Sequence, residues 1–233
     1  MTELKANEGK EAVILVDGKE YTRLPIKTHL ITADDDIVQV ARQYGLPVLE
    51  DEGDVLFISE KCVACSQGRA IPIDEVEAGA LARFLSRFVT RTPAGIGLGM
   101  PETMEYAIRE CGAPRILFAA AVSAVGKVFG KKGWFYDVAG DKAKSIDGPT
   151  ANTIPPYNEC VVLGPKDPDR VARQIAEDIG YRTIIVDIND LDGSILGSSD
   201  DSLDRDLYAG ILGDNPLGQD RESTPMGIIR EKA

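Results

Sequence analysis

At 233 residues, with 43% apolar and 27% charged side chains, the chain is long enough to bury a sizeable core and has an ordinary globular composition. Its formal charge of −12 leaves no basic surplus to release counterions from a nucleic-acid backbone, and it disfavours an anionic membrane surface. An acidic protein that binds a phosphorylated ligand therefore needs a local Lys/Arg cluster or a divalent cation. The opening MTELKANEGK is hydrophilic, and the longest apolar run, Ile116 to Val125, is too short to span a bilayer. Four cysteines at 62, 65, 111 and 160 lie in or beside apolar segments and do not form a dense framework, so a cytoplasmic protein with reduced thiols is expected.

Taken in order, residues 12–28 read as a β-hairpin, because EAVILVD and EYTRLPI flank Asp17-Gly18, the pair that tight type I′ turns favour. Thr32 begins a helix with Asp35 three residues on as a near capping box. Ile37, Val38, Ala41 and Tyr44 give its buried side and Gly45 its end. His29, the only histidine, is expected to be structural or a surface group. DVLFIS (54–59) and the following EKCVACSQGR carry strand-like residues and finish in a Gly-Arg turn. Asp74 to Val89 predicts a helix with Asp74 at the cap and Leu81, Phe84, Leu85 and Phe88 facing the core. After the glycine-rich connection RTPAGIGLGMP, Pro101 starts a helix that Gly112 closes. Residues 116–129 read as a buried helix with Lys127, Lys131 and Lys132 at its C-terminal end. WFYDV (134–138) reads as a strand, and SIDGPTANTIPPYN (145–158) as a turn-rich connection.

The stretch from Gly164 to Ser199 has the clearest pattern. Asp167 is placed as an N-cap and Pro168 as the first helical residue. Val171, Ala172, Ile175, Ala176 and Ile179 form one stripe, and Gly180 closes the helix. Thr183 to Val186 is a buried strand. With Cys160–Leu163 as a strand upstream, a strand–helix–strand unit with a right-handed crossover is expected. Beyond Ser199 regular signals are few, and DNPLGQDRESTP (214–225) reads as a polar loop. The mixture of strands and helices without strict alternation points to an α+β fold, a mixed sheet with packed helices in a single domain over 1–233.

Where the central strand ends, the chain becomes Asp187-Ile188-Asn189-Asp190-Leu191-Asp192-Gly193. Three carboxylates and an amide at a strand end repel one another unless they are solvated or bridged by a cation. The register of a calcium loop fails, since its glycine falls at position 7 instead of 6. A Mg²⁺ or Mn²⁺ held by one or two carboxylates plus ligand phosphates fits, against the plainer reading of a solvated acidic turn. GIGLGMP (95–101) meets neither glycine-rich phosphate pattern and reads as a hinge. Cys62-x-x-Cys65 has no second pair at zinc spacing and lies in strand-like sequence, so it reads as strand interior. Lys61 and Arg69 bracket the tight turn at Gly68, an arrangement suited to a phosphate, although such residues alone are more often plain surface charges.

Three segments also resemble a family. GDVLFISEKCVACSQGR (53–69) resembles the segment of coenzyme F420-0:gamma-glutamyl ligases in which a strand runs into a Lys-containing stretch and a Gly-Arg turn. KDPDRVARQIAEDIGYRTIIVDIND (166–190) is similar to their proline-started helix and following strand, which ends in a metal-binding aspartate. LPIKTHLITADDDIVQVARQYG (24–45) resembles their opening. The resemblance implies an α+β ligase, usually an intertwined homodimer, that joins L-glutamate to the carboxyl of a deazaflavin coenzyme with GTP and Mn²⁺ or Mg²⁺. It implies Asp187 as a metal ligand, beside Asn189 and Asp190, with Asp141 or Asp147 as a second. Lys61, with Gly68 and Arg69, would lie near the nucleotide phosphates, and Gly218-Gln219 resembles a Gly-Gln pair of the family. The sequence departs from the pattern at Ile188-Asn189-Asp190, where the family has a threonine and then Phe-Gly-Arg-Pro. It departs again at Ala139-Gly140-Asp141, a reduced form of Asn-Ala-Gly-x-Asp. The expected reaction is amide formation driven by GTP or ATP through an acyl phosphate. It requires no nucleophilic side chain, in keeping with the lack of a Ser/His or Cys/His arrangement. The alternative is a non-catalytic nucleotide- or ligand-binding protein on the same fold.

Overall fold

The computed structural model describes residues 4–89, 97–131, 133–151, 153–189, 193–218 and 222–232. The chain forms two compact units, one of Met1–Gly68 with Pro165–Ala233 and one of Arg69–Gly164. In the first, Asp17 and Gly18 take φ of 51° and 79°, as a type I′ turn demands, and join β1 (Val13–Val16) to β2 (Lys19–Ile26). The next helix, α1 (Ile37–Val40), begins later than Thr32 because the Asp36 side chain, not that of Thr32, accepts from the Val38 N–H. The Asp35 carboxylate instead closes the preceding turn by accepting from Thr32 N (2.8 Å) and Thr32 Oγ1 (3.1 Å). Gly45 does not end the helical path, which runs on through a wide π turn and a 3₁₀ turn to Val48. The strand β3 (Val55–Ser59) is fully apolar until its last residue.

The segment after β3 overturns an expectation. Glu60–Ser66 is a helix, α2, and both Cys62 and Cys65 are buried on it. An apolar run enclosed on all sides has no readable period, so strand and helix look alike in the sequence. Burial pushes the Cys62 thiol well above its ordinary range, which makes it inert as a nucleophile.

The second unit begins with β4 (Ala70–Pro72). The long helix expected over 74–89 is broken into a 3₁₀ turn at Ile73–Glu75, the helix α3 (Ala80–Leu85) and a 3₁₀ turn at Ser86–Phe88. Gly79 interrupts it, in an extended conformation with its N–H donated to Glu105 at 3.0 Å. Leu85 is buried, but Phe84 and Phe88, placed in the core by spacing, are 56% and 60% exposed. Helix α4 (Pro101–Cys111) ends at Gly112 as expected, and α5 (Ala113–Val128) begins directly after it, earlier than the expected Ile116. The helix α5 is not buried all round: Ile116 and Ala119 enter the core while Leu117, Phe118 and Val125 stay exposed. Trp134–Ala139 is a helix, α6, and not a strand; the Trp134 ring lies on Gly126, where a Cβ would sit 2.8 Å from it. The short α7 (Asp141–Lys144) follows, and β5 (Cys160–Val162) pairs antiparallel with β4. A core of Leu98, Met104, Ala107, Ile116, Ile146 and Val161 holds this unit.

Back in the first unit, α8 (Pro168–Ile179) buries Val171, Ala172, Ile175 and Ile179, and Gly180 closes it at φ 78°. Asp167 does not cap it by its side chain; its backbone is left-handed, φ 47°. Then follow β6 (Arg182–Ile188), β7 (Gly193–Ser198), α9 (Arg205–Leu212) and β8 (Met226–Glu231). The last two fall where no regular structure was expected. Asp204 caps α9 by accepting from Asp206 N and Leu207 N. The sheet order is β1-β2-β8-β3-β6-β7, so the chain's last strand lies inside it, antiparallel to both β2 and β3. The expected parallel pairing of Cys160–Leu163 with 183–186 does not form. The parallel neighbour of β6 is β3, and β5 belongs to the two-stranded sheet of the other unit. One sheet face packs on α1, α2 and α8 through Leu56, Ile58 and Ile185, the other on α9 through Phe57, Ile184 and Val186. Among the described residues, no helix is long and apolar enough to cross a membrane.

Candidate functional site

In this six-stranded sheet β3 and β6 are the parallel neighbours, in register from Val55↔Arg182 to Ser59↔Val186. Their carboxyl ends therefore emerge side by side, the edge at which open α/β sheets hold ligands. Directly past Ser59 come Glu60 and Lys61, and directly past Val186 comes Asp187. Ile184 and Val186, with Ile188 packed against them, line the α9 side of the sheet. Strand alternation then puts Asp187 on the opposite face, which carries α2 and α8. Lys61, Gly68, Asp187 and Asn189 thus belong to one unit, with Lys61 and Asp187 at adjacent strand ends.

Glu60 went unremarked in the sequence. Its carboxylate is 2% exposed, and the Lys61 ammonium lies 2.6 Å from Oε1. A buried carboxylate persists only where charge or hydrogen bonds compensate its lost hydration, and Lys61 supplies such a charge. The signal available was a Glu-Lys pair immediately after an uninterrupted apolar strand. Gly68 turns the chain at the end of α2 with φ 66°. Beside it, the Gln67 amide both donates to Lys166 O (3.0 Å) and accepts from Lys166 N (2.7 Å).

The half-exposed His29 ring is tied to two side chains: Nδ1 lies 2.9 Å from the Tyr44 hydroxyl and Nε2 2.9 Å from Asp35 Oδ1. The Thr32 N–H, and after it His29, hold the Asp35 carboxyl below the usual range. The polar loop near the C-terminus is pinned to the same sheet end, since Ser59 N donates to Pro225 O (2.8 Å) and Thr28 N to Ser223 O (3.0 Å). Asn7 Nδ2 donates to Leu217 O at 2.7 Å and Thr224 Oγ1 at 3.0 Å. Gly218 takes φ 79°, and a Cβ there would sit 2.9 Å from the Glu222 carboxyl. Gln219 and Asp190, both singled out in the sequence, lie outside the described residues.

The remaining candidates belong to the other unit. Arg69 is buried and donates to Gly164 O (2.6 Å) and the Glu110 carboxylate (2.7 Å), which anchors β4 at its start. The Asp147 backbone pairs with Val162, N to O at 2.9 Å and O from N at 3.0 Å, so Asp147 flanks β5 opposite Ala70. Asp141 opens α7 with its side chain 89% exposed and Lys144 at 3.7 Å.

Oxygen donors alone, from Asp187 and Asn189, suit a hard cation such as Mg²⁺ or Mn²⁺ and not zinc or copper. Among the described residues no group of three or more His, Cys, Asp or Glu converges into a full cage. The family model described as F420-0:Gamma-glutamyl ligase matches residues 25–197. No curated protein matches the chain.

Proposed function

Since the chain belongs to the F420-0:gamma-glutamyl ligase family, we propose that it joins a carboxylate to the amine of an amino acid such as L-glutamate, driven by GTP or ATP. The observation that carries this reading is the adjacency of Lys61 and Asp187 at the carboxyl ends of β3 and β6. In a chain of charge −12, a nucleoside triphosphate needs local positive charge. Lys61 supplies one such charge to the phosphates, and buried Glu60 fixes where its ammonium stands. Asp187 and Asn189, together with Asp190, would hold a Mn²⁺ or Mg²⁺ that neutralises phosphate charge when bound.

The substrate carboxylate oxygen attacks the terminal phosphorus, the bond to the nucleoside diphosphate breaks, and an acyl phosphate forms. The amine nitrogen then attacks the acyl carbon, phosphate leaves, and the nitrogen loses a proton. Neither step needs a covalent enzyme intermediate, so the inert, buried Cys62 is no obstacle. We further propose a homodimer, working in the cytoplasm where nucleoside triphosphates are available.

The test is calorimetric titration of GTP and of ATP, with and without Mn²⁺, on wild type and Asp187→Asn, with glutamate-dependent phosphate release measured alongside. F420-0, from the family's description, is the first carboxylate to supply. Equal Mn²⁺-dependent affinities in both proteins would remove Asp187 from the site. Nucleotide binding without phosphate release in the presence of F420-0 and glutamate would favour the binding-protein reading.

A further inference from the structure

Within the second unit a cleft of about 400 Å³ opens between the end of α3 and the start of α4. Its walls are Arg83, Ser86, Arg87, Val89, Gly99 and Pro101, a set with two guanidinium groups and no carboxylate. Arg83 lies in α3 and Arg87 in the 3₁₀ turn that prolongs it, a spacing of four that returns both to one face. Like charges so placed repel one another, and a guanidinium ordinarily answers by pairing with an acceptor. Every other arginine among the described residues does so. Arg69 pairs with Glu110 and Arg109 with Glu105, while Arg115 donates to Val138 O and Arg182 to Gly53 O, and the rest follow suit. Among those same residues, no hydrogen bond or ion pair is made by the side chain of Arg83 or Arg87.

The rest of the wall has the same character. Ser86 is 5% exposed, and among the described residues its hydroxyl reaches only Arg83 O, at 3.4 Å. A good O–H···O bond spans about 2.5–3.0 Å, so this buried hydroxyl keeps nearly all its capacity to donate. The cap of α4, Met100, offers no side-chain acceptor, and Pro101 has no N–H of its own. The positive end of an 11-residue helix therefore stands open at the cleft. Gly99 presents bare backbone, and Val89 and Pro101 an apolar strip. This unit carries 11 basic against 10 acidic residues, so the charge of −12 on the whole chain lies elsewhere.

Donors thus converge here with no negative group to compensate them. A guanidinium pairs bidentately with a carboxylate or a phosphate, and two of them match a dianion. A phosphate group would fill only part of the space, which leaves room beside Val89 and Pro101 for a small organic substituent. We propose that this cleft binds a small ligand through a dianionic phosphate group, either free phosphate or a phosphate monoester. It shares no residue with Lys61, Asp187 and Asn189, so the proposal stands independently of the nucleotide reading above.

Isothermal titration with inorganic phosphate and with phenyl phosphate tests this, without divalent cation and at about pH 8, where both probes are dianionic. The proteins are wild type, Arg83→Gln/Arg87→Gln, Arg83→Lys/Arg87→Lys and Lys61→Ala. Saturable binding is expected on wild type and on Lys61→Ala alike. In the glutamine pair the affinity should fall roughly tenfold or more, the loss typical of removing charge-assisted hydrogen bonds. Lysine keeps the charge but not the fork, so the lysine pair should bind between the two. Both arginines are exposed, so the far-UV circular dichroism of each variant should match wild type. If the glutamine pair fails to fold, the lysine pair decides, and an affinity equal to wild type would overturn the forked contact. Tighter binding of phenyl phosphate assigns the cleft to a monoester and equal binding assigns it to free phosphate; each supports the site. No saturable binding by wild type, or binding that the glutamine pair leaves unchanged, overturns it. Binding lost only in Lys61→Ala overturns it too, and credits the phosphate to the first unit.

Discussion

The two units solve the same folding problem with different materials. The unit of residues 1–68 and 165–233 carries 15 basic against 28 acidic residues, a charge of −13, while residues 69–164 carry 11 against 10. The acidic unit covers both faces of a six-stranded sheet and carries ion pairs in which one partner is buried. Arg23, fully buried, is held by Asp214, and Asp54, also fully buried, by Arg230. Among its described residues the near-neutral unit has a short two-stranded ladder, relies on helix packing, and leaves four phenylalanines exposed. The chain average of −12 hides this division. It means that a phosphate ligand in the acidic unit, as proposed, would need Lys61 and a cation to offset the surrounding charge.

The sharpest way to break this contrast is through its ion pairs. Asp54 accepts from Arg230 Nη2 (2.6 Å) and Nε (2.8 Å) and from the N–H groups of Glu50 (2.9 Å) and Asp51 (3.2 Å). Burial pushes its carboxyl up, but Arg230 and the two N–H groups outweigh that and hold it below the usual range. Asp54→Ala is expected to destabilise by about 3 kcal/mol, because it leaves buried donors unpaired. In the other unit the exposed pair Arg109–Glu105 (2.9 Å) should be worth under ~1 kcal/mol when Arg109→Ala removes it. Because Asp54 has a lowered folded pKa, its contribution is present above the unfolded value and is lost as pH falls through the folded one. Urea unfolding should therefore show wild type and Asp54→Ala converging below about pH 4. A constant difference down to pH 2 would refute the electrostatic account.

A second comparison concerns chemistry. Asp187→Asn should weaken Mn²⁺-dependent nucleotide binding by roughly 10–100-fold, the loss typical even of groups one step removed from a metal. Asp141→Asn in the near-neutral unit, with its side chain almost wholly in solvent, should leave that affinity within twofold. Isothermal titration on both decides it. A loss at Asp141 equal to that at Asp187 would mean the site is not confined to the acidic unit.

What the sequence made legible was local. Asp17-Gly18 announced its turn, Pro168 and Gly180 bounded their helix, and the run from Thr183 to Val186 its strand, each by interactions spanning a few residues. Asp187 was found where a strand ends and Lys61 in sequence read as strand-like, but that β3 and β6 are neighbours depends on pairing residues 127 apart, from Val55 to Arg182. The same non-local step hid β8, whose MGIIRE is unremarkable until β2 and β3 pair with it. Glu60 was passed over because a charge ordinarily means solvent, and only the fold encloses it. Phe84 and Phe88 were assigned to the core because spacing tells which face of a helix is apolar, not what covers it. Thr32 was read as the helix start, but the cap falls to Asp36, because Asp35 closes the earlier turn on Thr32.

The smallest effect tests the contrast at helix ends. In the acidic unit, α1 and α9 start on Asp36 and Asp204, whose side chains accept from first-turn N–H groups, while α2 and α8 start on Ser59 and Asp167 without a side-chain cap. Among the described residues of the other unit, α3 to α7 begin on Gly79, Met100, Gly112, Gly133 and Gly140, none with a side-chain cap. Met100 precedes Pro101 in extended conformation, φ −108° and ψ 147°, the geometry an N-cap requires. Its side chain brings no acceptor to the N–H groups of Glu102 and Thr103. Met100→Ser places a hydroxyl oxygen there and should stabilise this unit by about 0.5–1 kcal/mol, less whatever packing the half-buried Met side chain contributed. The converse, Asp36→Ala, should cost the acidic unit about 1 kcal/mol. Trp134, the only tryptophan, lies in the near-neutral unit, so its fluorescence during urea unfolding follows Met100→Ser directly. A midpoint that rises with an unchanged slope supports the capping argument. A midpoint that falls would mean that Met100 packing outweighs an unmade cap, and that this unit is limited by its core and not by its helix ends.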